Sequence, residues 1–91
     1  SKTLVKEGAS LGANCTIVCG IIIGKHALVG AGAVVIKDVH DYELIVGNPG
    51  RVIGWVSEAG VKLSFDENGI AVCKKTNKKY LLTNNLVTEI I

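Results

Sequence analysis

The chain has 91 residues, a formal net charge of +2, 48% hydrophobic residues and 20% charged residues. This length allows one small domain. The near-neutral charge argues against a nucleic-acid-binding protein, and the apolar content argues against a disordered tail. No run of about 18 apolar residues is present, so no membrane span is predicted. The absence of methionine predicts a piece of a longer protein or a processed product.

Residues 5–40 repeat with a period of six. Each block of six begins with an aliphatic residue, and its fifth position is mostly small. Because this period is neither helical nor that of a simple strand, it favours a chain that forms a short strand, turns a corner and repeats. Three sides make one coil, so residues 5–22 and 23–40 are predicted to form two coils of a parallel β-helix. The inward aliphatic positions are Val5, Leu11, Ile17, Ile23, Val29 and Val35.

Three consecutive outward positions of the predicted coils are apolar, although outward positions normally face water. A contiguous apolar face is typical of a surface that packs against another subunit. These residues are Ile22, Leu28 and Val34.

The three cysteines are odd in number and lack the spacing of a disulfide framework. This usage favours a reducing compartment, and we expect a cytoplasmic protein. Cys15 falls on the inward column and is predicted to be a packed thiol, whereas Cys19 falls at a corner.

The repeat and the segment after it resemble the hexapeptide-repeat left-handed β-helix acyltransferases. The resemblance rests on the blocks of six, on residues 29–39 (VGAGAVVIKDV), and on residues 45–53 (IVGNPGRVI), which are similar to the exit signature of these enzymes. This sequence departs from the usual pattern at three positions. Ile36, His40 and Gly50 stand where Thr, Pro and often Ala are usual.

Residues 2–60 are most similar to bacterial nucleotide-sugar N-acetyltransferases, in particular those that act on UDP-linked 3-amino-glucuronate in surface-polysaccharide synthesis. The resemblance implies a homotrimer that binds acetyl-CoA in a groove between adjacent prisms, with the pantetheine arm along a line of coil corners. Lys37 and Arg51 would be the cations for the phosphates. The implied cofactor-binding residues are Ala13, Ala31, Gly32, Ile36, Lys37 and Arg51.

The resemblance leaves the catalytic residue unassigned. Many relatives use a histidine base that lies upstream of the coils aligned here, and the nearest amino-sugar enzymes are expected to work without one. His26 is predicted to lie at an outer corner that faces water or a neighbouring subunit, and His40 to be a structural turn residue. Asn14 lies on an outer corner where substrate contact is an alternative to solvent exposure.

After residue 41 the six-residue pattern stops, and turn-forming residues separate short apolar runs. This pattern predicts a small antiparallel meander appended to the coils, in which Trp55 packs between the tail and the prism. The predicted strands are 52–56, 61–65, 70–74 and 79–83, with 86–91 either pairing as an edge or remaining loose.

The tail also resembles a zinc ribbon that has lost its metal. Only Cys73 occupies one of the usual ligand positions, and one thiolate cannot complete a four-ligand zinc site, so no metal is predicted. The lysines at 74–79 favour a solvated turn, with an anionic partner as the alternative. The positions where relatives often carry cysteine are near Ser57, Ala59, Cys73 and Thr76.

The predicted fold is therefore all-β: a left-handed parallel β-helix with a small antiparallel extension. Its predicted units are coils over 1–42, an exit segment with cofactor-end contacts over 43–62, and a tail over 63–91. The predicted function is the C-terminal part of an acetyl-CoA-dependent N-acetyltransferase, and the alternative is a non-catalytic assembly platform. A zinc-dependent hydratase would need three converging histidines, and the chain has two. Because the coil end above Val5 is open, we expect the isolated chain to trimerise or aggregate and to bind CoA weakly.

Overall fold

A computed structural model describes residues 2–91, and Ser1, with which the first predicted unit begins, lies outside the described residues. No helix in this part of the chain is long and apolar enough to cross a membrane. Its regular elements are β-strands. They are β1 (Leu4–Val5), β2 (Ser10–Leu11), β3 (Thr16–Ile17), β4 (Ile22–Ile23), β5 (Leu28–Val29), β6 (Val34–Val35), β7 (Glu43–Val46), β8 (Arg51–Trp55), β9 (Ile70–Val72), β10 (Lys79–Thr83) and β11 (Leu86–Ile90).

Strands β1 to β6 stack as the parallel coils that the six-residue period predicts. β1 pairs with β4, β2 with β5 and β3 with β6, all in parallel. Each residue faces the one eighteen positions later, as Leu4 faces Ile22. Three two-residue strands therefore complete one turn of a three-walled prism, which confirms the two coils predicted for 5–22 and 23–40.

The interior of the prism is filled by the first and fifth positions of the blocks of six. Ile23, Ala27 and Val29 are fully buried there. Small fifth positions leave room for the chain to turn each corner close to the axis. Val5 and Leu11 belong to the same inward column but are 43% and 44% exposed, because no coil of the described residues stacks on that end of the prism.

The parallel stacking extends one strand past residue 42. β7 pairs in parallel with β5, where Leu28 faces Leu44, and the Gly47 carbonyl accepts a hydrogen bond from the Val34 N–H (2.9 Å). The offset from residue 28 to residue 44 is two shorter than a full coil, so the six-residue pattern does not reveal this strand in the sequence.

The chain then reverses. β8 pairs antiparallel with β7, and β9, β10 and β11 form an antiparallel sheet in the order β11-β10-β9. The meander is confirmed, and residues 86–91 take the paired alternative, because β11 pairs with β10. The strand predicted over 61–65 is wrong: Lys62 forms only an isolated bridge with Val56. Its alternation reflects burial instead, since Leu63 and Phe65 pack inward and Lys62 and Ser64 are exposed.

A second hydrophobic core, the tail cluster, lies beneath the meander. Trp55 packs in it edge-to-face on Phe65 (ring centroids 5.8 Å apart), and Tyr42 joins it from a corner of the prism. The tail therefore docks on the prism through side chains and not through a shared sheet. The buried members are Tyr42, Leu63, Ala71, Cys73, Tyr80 and Val87.

Candidate functional site

An exposed line of small residues, the corner rail (residues 13–14, 31–32 and 47–48), runs along the prism where the β2–β5–β7 wall meets the β3–β6 wall. Ala13, Asn14, Ala31 and Gly32 are all exposed, and the Gly32 N–H donates to the Ala13 carbonyl (2.9 Å). A Cβ added at Gly32, whose φ is +73°, would meet no atom within 4 Å. The rail therefore presents open backbone to solvent, and it contains three of the predicted cofactor-binding residues.

The backbones of successive coils approach closely beside the rail. A Cβ added at Gly12 would overlap the backbone of Gly30 and Ala31. The Gly12 N–H donates to the Val29 carbonyl (2.7 Å). Glycine is required here by the close approach, and it holds the rail at a fixed depth.

A cavity of about 620 Å³, the base cavity, lies at the end of the prism that faces away from β1. Ile36, Lys37 and Arg51 all contribute to its lining. The structure thus separates the six predicted cofactor-binding residues into two groups, one on the corner rail and one around the base cavity.

The loop at residues 47–50 connects the rail, to which residues 47–48 belong, with the base cavity, which residues 49–50 line. Gly47 accepts from Val34 on the rail side, whereas Pro49 and Gly50 line the cavity. The Gly50 N–H donates to the Val34 carbonyl (2.7 Å), and a Cβ added at Gly50 would lie 2.9 Å from that same oxygen. The close packing explains why this chain has Gly50 where the sequence pattern often has alanine.

The base cavity is lined by two exposed cations, Lys37 and Arg51, and by two carboxylates, Asp38 and Glu43. Lys37 and Arg51 are exposed, and within residues 2–91 neither forms an ion pair shorter than 4 Å. Asp38 is already engaged, because its Oδ1 accepts the Ile22 N–H (2.8 Å). Glu43 is buried and accepts the His40 N–H (2.8 Å). Two cations are therefore free to bind an anionic ligand such as a phosphate.

Comparison with known families identifies the coils. Residues 2–37 match the bacterial transferase hexapeptide family over six repeats. This match covers the hexapeptide coils of the chain. The hexapeptide coils are therefore the structure that the spacing of aliphatic residues predicted.

Known proteins show the same likeness beyond the hexapeptide coils. The chain is 48% identical over 90 residues to a dTDP-3-amino-3,6-dideoxy-alpha-D-galactopyranose 3-N-acetyltransferase of Aneurinibacillus thermoaerophilus. The alignment covers 99% of this chain and 46% of that protein. The chain thus spans about half the length of this relative. A 3-amino sugar agrees with the predicted substrate class, although the nucleotide and the sugar differ from the UDP-linked glucuronate of the prediction.

Solved structures share the fold of the hexapeptide coils. A hexapeptide-repeat acetyltransferase from Vibrio cholerae, crystallised with acetyl coenzyme A, is 29% identical with a TM-score of 0.59 and covers 60% of this chain and 30% of that one. Serine acetyltransferase from Neisseria gonorrhoeae is 36% identical with a TM-score of 0.57 and covers 58% of this chain and 20% of that one.

His26 lies at a corner of the coils, as the sequence predicts, but its side chain packs within this chain and does not face water. Its half-buried ring stacks on Tyr42 (centroids 5.5 Å apart) and lies against Gly8. Its Nδ1 is buried, and no residue within 2–91 hydrogen-bonds to it. The meander covers this corner of the hexapeptide coils, an arrangement that the repeat alone does not reveal. His26 is therefore a junction residue between prism and tail, whereas Asn14 is exposed on the corner rail.

The junction also perturbs two tyrosines. Burial, reinforced by neighbouring Tyr80 and Glu89, raises the pKa of Tyr42 to about 12. Burial likewise raises the pKa of Tyr80, whose ring meets that of Tyr42 edge-to-face (5.3 Å) and whose hydroxyl accepts the Glu58 N–H (3.3 Å). Both phenols are therefore neutral packing groups at physiological pH.

The positions of the predicted vestigial zinc ribbon do converge. Ser57 Oγ accepts the N–H groups of Ala59 and Val61 (3.2 and 3.3 Å) and the thiol of buried Cys73 (3.1 Å). Burial opposes ionisation of Cys73, but hydrogen bonding of its sulfur with the side chains of Ser57 and Thr76 and with the backbone at residues 75–76 outweighs burial and lowers the thiol pKa to about 7. In the described chain no group of three or more His, Cys, Asp or Glu side chains is placed to hold a metal.

The other two cysteines lie as the sequence predicts. Cys15 is half-buried and packs against the core of the hexapeptide coils. Cys19 is exposed at a corner. The sequence reasoning missed Glu43 as a member of the base cavity. Its spacing of three from His40, directly after the last coil, was the available signal.

Proposed function

We propose that the chain supplies the cofactor groove of an acetyl-CoA-dependent N-acetyltransferase that acts on an amino group of a nucleotide-linked sugar in surface-polysaccharide synthesis. The observation that carries this proposal is the continuity of an open backbone rail with a cavity lined by Lys37 and Arg51. The 48% identity to a sugar 3-N-acetyltransferase supports the choice of substrate class.

The extended pantetheine arm would lie along the corner rail. Its amides need backbone donors and acceptors at short range, and small side chains allow that approach. Ala13, Ala31 and Gly32 would contact the arm, and the backbone at Ile36 would contact its nucleotide end. Lys37 and Arg51 would then bind phosphates at the base cavity, where a planar guanidinium can form two parallel hydrogen bonds.

Acetyl transfer in such a groove forms one bond and breaks another. The sugar amine attacks the thioester carbonyl carbon, the new C–N bond forms, and the C–S bond breaks so that the CoA thiolate leaves and takes up the proton lost by the amine. The developing oxyanion needs N–H donors, which exposed corner backbone can provide. His26 is stacked at the junction with the tail, so we assign no base to this chain.

We further propose that the protein works as a homotrimer in the cytoplasm. Ile22 is 39% exposed, and Leu28 and Val34 are half-buried on outward positions of the coils. These three residues lie on three different walls of the prism, so the single contiguous apolar face expected from the sequence is wrong. Leu28 and Val34 lie on the two walls that meet at the corner rail, and a second copy packed against either wall would place the rail between two prisms. The free cysteines agree with a reducing compartment.

Calorimetric titration with acetyl-CoA tests the proposal. Lys37→Ala is expected to weaken binding about 5-fold, which corresponds to the loss of one solvent-exposed charge contact. Lys75→Ala, in the exposed tail turn, is the matched control and should bind as the wild type does. Equal affinity in Lys37→Ala would remove Lys37 from the site. A trimer that binds no acetyl-CoA would instead favour the assembly platform.

A further inference from the structure

His40 and Glu43 form a pair at the edge of the base cavity. Glu43 Oε1 lies 3.6 Å from His40 Nδ1, and the same oxygen accepts the His40 backbone N–H (2.8 Å). The Glu43 N–H donates in return to the His40 carbonyl (3.3 Å). The turn that carries the imidazole is thus fixed from two sides, while the His40 side chain itself remains 62% exposed.

Glu43 is a buried carboxylate that lies next to the His40 imidazole. The Glu43 side chain is only 8% exposed, and a buried carboxylate is stable when a cation lies beside it. In the described residues His40 is the one cation-forming side chain within 4 Å of it. A protonated His40 would satisfy Glu43 on one side and still offer its Nε2 N–H to the cavity.

We infer that protonated His40 is a third phosphate-binding group of the base cavity, beside Lys37 and Arg51, and makes binding of the CoA nucleotide end stronger at acidic pH. The inference rests on the proposed function. It depends on the position of His40 in the same cavity lining as Lys37 and Arg51. The sequence pattern usually has proline at this position, which has no side-chain donor.

The surrounding charges determine how strongly His40 protonation couples to the ligand. Positive groups oppose a further cation, whereas carboxylates favour it. One carboxylate oxygen of Asp38 and one of Asp41 each accept a backbone N–H of the neighbouring coil. Glu43 is therefore the carboxylate that faces the His40 ring. The negative charge of a bound phosphate would offset the repulsion from these positive groups and would promote proton uptake by His40. The groups concerned are Lys6, Lys37, Arg51, Asp38, Asp41 and Glu43.

The test is calorimetric titration of CoA into wild type and His40→Gln at about pH 6 and about pH 8, on either side of the usual histidine pKa. Gln keeps the backbone N–H that Glu43 accepts. The ratio of the two dissociation constants cancels the titration of the ligand's own phosphate. We expect His40→Gln to bind about 1.5- to 5-fold more weakly at pH 6, as for one exposed charge contact, and equally at pH 8.

Two further probes identify the contact. Pantetheine, which has no phosphate, should bind both proteins equally at both pH values. Dephospho-CoA that retains the pH-dependent difference would assign His40 to the diphosphate, and loss of the difference would assign it to the 3′-phosphate; either result supports the inference. Glu43→Gln should reduce the difference at pH 6, and circular dichroism of each variant verifies the fold.

The outcomes separate the inference from the proposed function. A ratio that is the same at both pH values, or a pantetheine ratio that changes with pH, would overturn the role of His40 and leave the CoA groove intact. Absence of CoA binding by wild type and variant at both pH values would overturn the proposed function, and the inference with it.

Discussion

The prism and the tail fill their cores with different side chains. The prism core consists of Ile, Val and Ala, stacked in columns that recur from coil to coil. The chain has four aromatic residues, and all of them lie in the tail cluster. They are Tyr42, Trp55, Phe65 and Tyr80.

The difference follows from how each region closes. Each coil repeats the same narrow cross-section, so a small set of aliphatic side chains fills it and the strands above and below satisfy the backbone. The meander has only one sheet, and the space between that sheet and the prism must be filled by large side chains. The prism core is therefore filled by small aliphatic side chains at regularly repeated positions, whereas the tail core is filled by a few large aromatic side chains.

Removing the central tail aromatic should have the largest effect. Tyr80 is fully buried, so Tyr80→Ala is expected to cost about 3–5 kcal/mol through lost burial and the cavity left behind. Urea unfolding followed by far-UV circular dichroism measures it. Tyr80→Phe keeps the ring and is the matched control, with a much smaller loss. A loss below about 1 kcal/mol in Tyr80→Ala would show that the aromatic side chains do not hold the tail.

The packing of the prism is tested by adding a methyl group between its coils, whereas the tail is tested by removing a side chain. Gly12→Ala places a Cβ onto the backbone at Ala31 and should cost about 1–3 kcal/mol, because neighbouring coils must separate. Ala13→Ser, one position further on the exposed rail, should change the free energy of unfolding by less than about 0.5 kcal/mol. Urea unfolding of both variants checks this, and equal effects would contradict the close stacking of the coils.

The sequence predicts the prism better than the tail for the same physical reason. A period of six fixes inward columns, wall count and pairing partner at once, so Ile23 and Val29 could be placed without a structure. The sequence did not predict β7, because the offset between its residues and their partners in β5 is two residues shorter than a full coil. In the tail, each strand depends on the turn that precedes it, and no repeat fixes its position. The alternation of apolar and polar residues around Leu63 and Phe65 arises because these two side chains pack into the tail cluster, although the segment forms an isolated bridge and not a strand.

The candidate site was predictable in part. The glycines and alanines of the rail are readable from the repeat, since corner positions recur with the period. The contacts of His26 and Glu43 are not, because they depend on where the tail docks and how the chain leaves the last coil. Tyr42 lies between the two cases: it occupies a coil corner with φ of +64°, yet its ring belongs to the tail cluster.

Alkaline pH should loosen this junction through Tyr42. Its folded pKa of about 12 exceeds the value of about 10 for an unfolded phenol, so its contribution is fully present below about pH 10 and is lost as pH rises towards 12. Between pH 8 and 11, the free energy of unfolding of Tyr42→Phe should therefore fall by about 1 kcal/mol less than that of the wild type. Urea unfolding at both pH values measures this. An identical loss in both proteins would show that the Tyr42 phenol ionises freely in the folded state.

The surface ion pair of the tail should matter least. Lys78 and Glu58 pair at the rim of the tail cluster, where the hydrogen bond from Lys78 lowers the Glu58 pKa. The stabilising contribution is thus present above the unfolded carboxyl pKa and is lost as pH falls through the folded one. Both groups are exposed to water and salt, which weaken their attraction. We expect Glu58→Gln to lower the urea midpoint at pH 7 barely beyond experimental error at low salt and not at all in about 1 M NaCl, where the Debye length is about 3 Å. A loss comparable to that of Tyr80→Ala would mean that charge, and not aromatic packing, fastens the tail to the prism.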